Sequence, residues 1–297
     1  MKIDSYHKNL EEWIKLLRWN KPSGRLILLI PAGWSLWLTP NPPPSLFLLA
    51  LITAGGMFIS GAGCIANDIW DQKFDKKVKR TQNRPLAKKS IRISTAFSLM
   101  LIMLILSLII LILIPIKSRI ICFILAFIAI TPILIYPSAK RWFKYPQAIL
   151  AFCWGFAVLI PWAASESSLN GGPPLIFCWA STCLWTFGFD TIYAMSDKDD
   201  DIRIGLNSSA ISLKDKVIRT VSISYAISSL CFGFAAYFAG IKWFFWIIWF
   251  ITSLGMQLET WKLNLKEANN KKFSNHFSNQ VLINSLLLLG LIISRKI

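Results

Sequence analysis

The sequence holds two histidines, His7 and His276, both outside its apolar runs, so a histidine-rich transition-metal centre lacks its donors. Six cysteines (Cys64, Cys122, Cys153, Cys178, Cys183 and Cys231) form no C-x-x-C pair. They lie in or beside apolar stretches, where they read as small buried apolar side chains. Charge is scarce as well: charged residues make up 16% of the chain and hydrophobic ones 55%, a balance that excludes an ordinary soluble domain. Scarcest is negative charge, with 15 Asp and Glu against 32 Lys and Arg and a formal net charge of +17. The basic excess flanks apolar runs and forms no reader module, so nucleic acid is not an expected partner. Residues 1 to 25 carry Asp4, Glu11 and Glu12 and no apolar core, which is not the layout of a cleavable signal peptide and predicts a retained N-terminus. A transmembrane β-barrel is excluded too, because unbroken runs such as SLMLIMLILSLIILILIPI replace the alternation it needs.

What is present is a series of apolar runs long enough to cross a bilayer, which takes about 20 residues per helix. They cover 24 to 39, 45 to 66, 94 to 115, 119 to 136, 147 to 164, 174 to 192, 218 to 240, 243 to 257 and 281 to 294. The expected fold is all-α, a polytopic membrane protein with nine transmembrane helices. Ahead of them, EEWIKLLRWN at 11 to 20 places Trp13, Leu16, Leu17 and Asn20 at helical spacing, which fits an interfacial helix or an ordinary cytosolic turn of helix.

Basic residues set the orientation. Lys2, Lys8, Lys15, Arg18, Lys21 and Arg25 precede or open the first run, and a further group between Lys73 and Arg92 follows the second. Alternate loops continue the bias through Lys140, Arg141 and Lys144, then Lys198 to Arg219, then Lys262 to Lys272, whereas the opposite loops hold only Lys117, Arg119, Lys242, Arg295 and Lys296. The positive-inside rule places the N-terminus in the cytoplasm and the C-terminus outside.

Most of the acidic residues gather in two places, Asp68, Asp71 and Asp75, then Asp190, Asp197, Asp199, Asp200 and Asp201. The first group follows the second span and the other follows the sixth. This shift of four helices predicts two four-helix halves plus a ninth helix, with the acidic groups facing across one cavity. On a helix Asn67, Asp71 and Asp75 are one turn apart in succession, and Asp68 lies two turns before Asp75, so these oxygens share a face. Asp197 and Asp201 are likewise one turn apart. Two carboxylates about 4 Å apart repel by roughly 4 kcal/mol at an effective dielectric near 20, so a cation is required among them. Clustered carboxylate and amide oxygens suit a hard ion, Mg²⁺ above all when phosphate shares the coordination sphere. The plain alternative is that these aspartates cap helix ends or pair with Lys73, Lys76 and Lys77. Two such sites opening into an apolar chamber suit a diphosphate leaving group on a long hydrocarbon tail, its departing charge stabilised by metal ions. Aromatic walls, drawn from 14 Trp and 20 Phe, would shelter an allylic cation or simply pack against lipid.

The text NDIWDQKFDKKVKRTQNRPLA resembles the N-D-x-x-D-x-x-x-D motif and following R-P-L-A of the UbiA superfamily of intramembrane prenyltransferases, and DTIYAMSDKDDDIRIGLNSSA is similar to its second motif. NKPSG at 20 to 24 and YPSAKRWFKYPQ at 136 to 147 match as well, and the flanks look most like 4-hydroxybenzoate polyprenyltransferases of quinone biosynthesis. The resemblance implies one domain over residues 1–297, nine helices around a central cavity, and Mg²⁺-dependent transfer of a polyprenyl group from its diphosphate to an aromatic ring carbon ortho to the hydroxyl. By matching position, Asn67, Asp68, Asp71, Asp75, Asp197 and Asp201 would hold the metals. Arg80, Arg84, Lys140 and Arg141, with help from Lys198, would grip the diphosphate or the aromatic carboxylate. Asp190 or a carboxylate of the second cluster would take a proton, with Tyr193 to position it, and Arg25 is a candidate for the acceptor's carboxylate. The partners implied are polyprenyl diphosphate, 4-hydroxybenzoate or a similar aromatic acid, and the bilayer, with the active site cytoplasmic in a bacterial inner membrane. Two positions depart from the family pattern. Lys88 and Lys89 follow R-P-L-A where the second is usually glycine, and Asn207 stands where many relatives have lysine. Rival readings are a cation-coupled transporter, whose sites belong near the bilayer midplane, and a relative acting on homogentisate, naphthoate or chlorophyllide.

Overall fold

A computed structural model describes residues 10–20, 23–263 and 270–296, which are helical with no strand among them. A short helix, α1, covers residues 10–16. It is followed by α2 (Ser23–Leu38), α3 (Leu46–Asp75), α4 (Ile93–Leu113), α5 (Ile116–Ile135), α6 (Pro146–Glu166) and α7 (Gly172–Ala194). The short α8 (Lys198–Ile204) and α9 (Ser209–Ser212) lead to α10 (Val217–Phe238), α11 (Phe244–Trp261) and α12 (Asn270–Lys296). Seven of these segments among the described residues are long and apolar enough to cross a membrane, and Ile27–Leu38 is a shorter apolar helix.

Local chemistry sets the ends that matter. Ser45 caps α3, its hydroxyl accepting from the Leu48 amide at 3.1 Å, after the proline-rich stretch 40 to 44 has stopped α2. At 30 residues α3 is about 45 Å long, against a hydrocarbon core of about 30 Å, so its last turns project beyond the lipid. The expected span stops at 66. The helix runs on through Asn67, Asp71 and Asp75, because nothing in ANDIWDQKFD breaks it. By contrast α4 buries only Ala96, Met100 and Met103 and is apolar all round, as a lipid-facing helix should be.

The main core lies where α2, α6, α7, α10, α11 and α12 meet, around Trp34, Trp162, Trp185, Phe189, Tyr225, Phe232 and Phe245. A second apolar cluster, closer to the acidic end of α3, is built by Leu16 and Leu17 against Ala62, Ile65, Ala66 and Leu86. The segment expected as an interfacial helix is therefore clamped onto the bundle by its apolar face.

Candidate active site

Both acidic groups line one small polar cavity of about 20 Å³: Asp71 and Asp75 from α3, Asp197 and Asp201 from the second group, with Arg80, Arg84 and Lys140 between them. A one-turn 3₁₀ segment, Met195–Asp197, breaks the line of α7 and re-aims the chain into α8. Asp197 and Asp201 then fall one turn apart on the cavity side. Gly205 ends α8 in the left-handed conformation, φ +71°, and Leu206 returns its amide to the Asp201 carbonyl at 2.9 Å.

The carboxylates are matched to cations. Asp71 accepts from Lys140 Nζ and from Arg141, each at 3.2 Å. Arg84 NH1 donates to Asp75 at 2.8 Å and to Asp68 at 3.2 Å. Across the cavity Arg80 makes a two-pronged pair with Asp197, Nε to Oδ1 at 2.7 Å and NH2 to Oδ2, and donates to the Tyr193 hydroxyl at 2.9 Å. Burial works against the Arg80 charge, but the hydrogen bonds and charge of Asp197 outweigh it and hold the guanidinium above its ordinary value. Asp200 joins the two halves of the site directly, accepting from the Lys79 amide at 2.8 Å and from Arg203. Lys73, Lys76 and Lys77 are in none of these pairs: the cations are Arg80, Arg84, Lys140, Arg141 and Arg203.

Further bonds fix the walls. Asn207 gives its amide to the Lys140 carbonyl at 2.7 Å, and the Ser209 amide donates to Gln147 Oε1 at 2.7 Å. The Y-P-S-A-K-R stretch and the turn after the second acidic group are thereby one unit. Gln72 Nε2 holds the Leu86 carbonyl at 3.0 Å, fastening the R-P-L-A turn to α3. Lys89 has φ +61°, a left-handed backbone that glycine adopts without strain.

The remaining expected residues fall as follows. Asp190 sits near the C-terminal end of α7, within electrostatic range of Lys140 and Arg80. Asn67 is half-buried and outside the cavity lining. Lys198, expected to help grip diphosphate, also lies outside the lining, since it follows Asp197 by one residue, about 100° around the helix. Asp68 is fully buried and stands outside the lining as well. Arg203 pairs with Asp200 and lies outside the cavity lining. Arg25 belongs to the first turn of α2, and its side chain lies outside the described residues. Not foreseen at all was Arg18, whose NH2 meets Asp68 Oδ1 at 2.5 Å. No spacing rule links residues 50 apart.

The donor set fits a hard divalent ion. Its oxygens are carboxylate, the one described histidine, His276, is bound to Tyr225 elsewhere, and the cysteines lie outside the cavity lining. In the arrangement seen, the carboxylates are turned to their guanidinium and ammonium partners, and among the described residues no three acidic side chains converge on a single point.

Residues 28–281 match the model of the UbiA prenyltransferase family. The chain belongs to that family. It is 37% identical over 281 residues to a protein of Synechocystis sp. named 4-hydroxybenzoate solanesyltransferase, covering 94% of each chain. To a 4-hydroxybenzoate octaprenyltransferase of Legionella pneumophila it is 36% identical over 239 residues, 80% of this chain and 82% of the other. Among solved structures, a UbiA homolog from Aeropyrum pernix K1 shares the fold with a TM-score of 0.75 at 22% identity, over 90% of this chain and 97% of that one. A UbiA homolog from Archaeoglobus fulgidus, bound to GPP and Mg²⁺, does so with a TM-score of 0.66 at 17% identity, over 96% of this chain and all of the other.

Proposed function

We propose that this protein transfers a polyprenyl group from polyprenyl diphosphate to 4-hydroxybenzoate, ortho to the hydroxyl, in ubiquinone or plastoquinone-type quinone biosynthesis. The observation that carries the reading is that two acidic motifs more than a hundred residues apart line one cavity together with Arg80, Arg84 and Lys140. Relatives of this sequence named for 4-hydroxybenzoate support the acceptor. The Mg²⁺ and GPP of an Archaeoglobus relative support the metal and the donor class.

Asp71, Asp75, Asp197 and Asp201 are the residues to hold Mg²⁺, with Asn67 beside them on α3. Bound there, Mg²⁺ supplies positive charge against the diphosphate as it leaves. Arg80, Lys140 and Arg141 turn from their carboxylates, and Arg84 from Asp75, to the diphosphate oxygens when the donor binds. A diphosphate with its divalent ions is close to neutral as a package, so the exchange of partners costs little net charge. Arg84 and Arg80 bring planar forks suited to two phosphate oxygens at once. Asp190, beside this cationic wall and one turn before Tyr193 and Ala194, is the proton acceptor for the phenol, with Tyr193 held by Arg80 to orient it. A second cavity of about 360 Å³, walled by α2, α3, α4, α5 and α6 with Leu51, Gly55, Gly56 and Phe156 in its lining, has the apolar chemistry an isoprenoid tail needs.

The same reading takes the chain as one domain of nine crossings, α2 and α11 added to the seven long spans, in two four-helix halves and a ninth helix. It lies in a bacterial inner membrane with the site on the cytoplasmic side. Purified protein in detergent, given geranyl diphosphate, Mg²⁺ and a panel of aromatic acids, tests the chemistry. Prenylated 4-hydroxybenzoate is the expected product. Prenylation of homogentisate or a naphthoate alone would reassign the acceptor, and no product with any acceptor would remove the reading.

A further inference from the structure

Asp68 sits in the first motif yet behaves unlike its neighbours. It is fully buried, it stands outside the cavity that Asp71 and Asp75 line, and its Oδ1 takes two guanidinium groups, Arg18 at 2.5 Å and Arg84 at 3.2 Å. Its Oδ2 is buried with no partner. The carboxylate is thus engaged by two arginines and is not part of the cavity wall. Arg84 in turn lines the cavity and uses the same NH1 for Asp75. Asp68 is therefore the inner anchor of a side chain whose outer edge faces the site.

Arg18 reaches that anchor by a particular route. Leu16 and Leu17 bury themselves against Ala62, Ile65 and Ala66 of α3, and the chain then turns through a left-handed residue, Arg18 itself at φ +58°. A non-glycine residue there costs about 1 kcal/mol or more, so the turn is held by what Arg18 gains on Asp68. The other end of the same segment is tied down too. Glu12, buried at the start of α1, accepts from Lys88 Nζ at 2.8 Å and from the Ser90 hydroxyl, both in the loop that carries Arg84. Residues 10–18 thus form a strap with one end on α3 and the other on the 76–92 loop, and Arg84 lies between its two fastenings.

We infer that Asp68 and Arg18 are positioning residues: through a shared carboxylate oxygen they hold Arg84 at the cavity edge, and residues 10–18 act as the strap that keeps it there. This rests on the reading of Arg84 as a diphosphate-binding group. It reassigns Asp68 from the metal set to the second rank of the site, a role that acts on donor affinity rather than on metal affinity.

Full-length protein in detergent, titrated calorimetrically with geranyl diphosphate at saturating Mg²⁺ and assayed for initial rates, tests this. In Arg18→Gln and Asp68→Asn the dissociation constant and KM for geranyl diphosphate should rise about tenfold while kcat stays within about threefold, as for a lost uniform-binding interaction. Arg18→Lys, which keeps the charge but not the fork, should recover part of that loss, and Glu12→Gln should give a smaller rise of the same kind. Half-saturating Mg²⁺ should stay within about twofold of the parent, and amide exchange over residues 10–18 should quicken in Asp68→Asn. A tenfold higher Mg²⁺ requirement in Asp68→Asn with unchanged donor affinity would make Asp68 a metal ligand and overturn the inference. So would Arg18→Gln and Asp68→Asn proteins that bind donor as the parent does. A parent protein that binds no geranyl diphosphate with Mg²⁺ present would instead overturn the prenyl-transfer reading beneath it. Should Asp68→Asn fail to fold, Arg18→Lys and Glu12→Gln carry the test, since neither leaves a buried carboxylate without a cation.

Discussion

Asp71 and Asp197 carry the clearest predictions at the scale of a single residue, since each faces the cavity and each is held by cations from another part of the chain. Replacing either with alanine removes a carboxylate oxygen pair and also leaves guanidinium or ammonium groups unpaired. Asparagine keeps the shape and one acceptor. Both Asp71→Ala and Asp197→Ala should lower kcat by about 10²-fold or more, and the asparagine variants by a similar factor if the charge is what matters. Initial rates together with size-exclusion behaviour check this. More than about a tenth of parental activity in both alanine proteins would remove their role as metal ligands. Lys89 offers a stability test of a different kind. Its left-handed backbone is the conformation glycine accepts without strain, so Lys89→Gly should stabilise the protein by up to about 1 kcal/mol in a denaturant titration, whereas Lys89→Val should destabilise it. Equal stabilities for the three would mean that the turn is not strained in solution.

Between elements, the close approach of α7 to α10 depends on Gly188. A Cβ built there would stand 2.4 Å from Tyr225 Cε1, and Tyr225 is fully buried with its hydroxyl 3.1 Å from His276 Nε2 on α12. Small residues let helices meet closely where lipid provides no driving force between them. Gly188→Ala must push Tyr225 off His276 or spread the two helices, and should cost about 1–3 kcal/mol by thermal unfolding in detergent. No loss of stability would mean that the pair relaxes freely. Much at this scale was legible in the sequence. The turn-by-turn spacing of Asn67, Asp71 and Asp75 sat on a helix as expected, because α3 is long enough to carry that face beyond the lipid. Asp197 and Asp201 also fell on the cavity side together, one closing the 3₁₀ turn and the other in α8. What could not be read were the partners. Lys73, Lys76 and Lys77 are near in sequence, yet the cations arrive from residues 18, 80, 84, 140 and 141. Gln147 was visible only as a letter in a motif. Its acceptance of the Ser209 amide, which leaves a buried donor unpaired if lost, depends on two turns meeting in space.

For the whole molecule the decisive issue is how many times the chain crosses the bilayer, because α2 has 16 residues and α11 has 18, near the lower limit for a span. Contacts between ends argue for both. Glu12 meets Lys88, and Arg18 meets Asp68, so the stretch before α2 and the loop after α3 lie on one side of the membrane. An even number of crossings must separate them. With α3 a long span, the proposed crossing by α2 meets that requirement. The same reasoning applies at the far end of the chain. Tyr193, at the site end of α7, packs on Phe277 near the start of α12, with ring centroids 5.2 Å apart. Arg295 at the other end of α12 donates to the carbonyls of Trp37 and Thr39, where α2 finishes. In the proposed arrangement the chain leaves the site side along α10 and α11 brings it back before α12 begins. Nine crossings satisfy every one of these pairs and put the basic-rich loops together, as the positive-inside rule asks. Truncated fusions in a bacterial host decide the matter. Alkaline phosphatase joined after Pro44 should be active, and a fluorescent protein joined after Arg92 or Lys262 should glow, whereas the full chain should activate phosphatase at its C-terminus. A silent phosphatase after Pro44 would mean that α2 does not cross, and the Glu12 to Lys88 pair could not then form within one membrane-embedded chain.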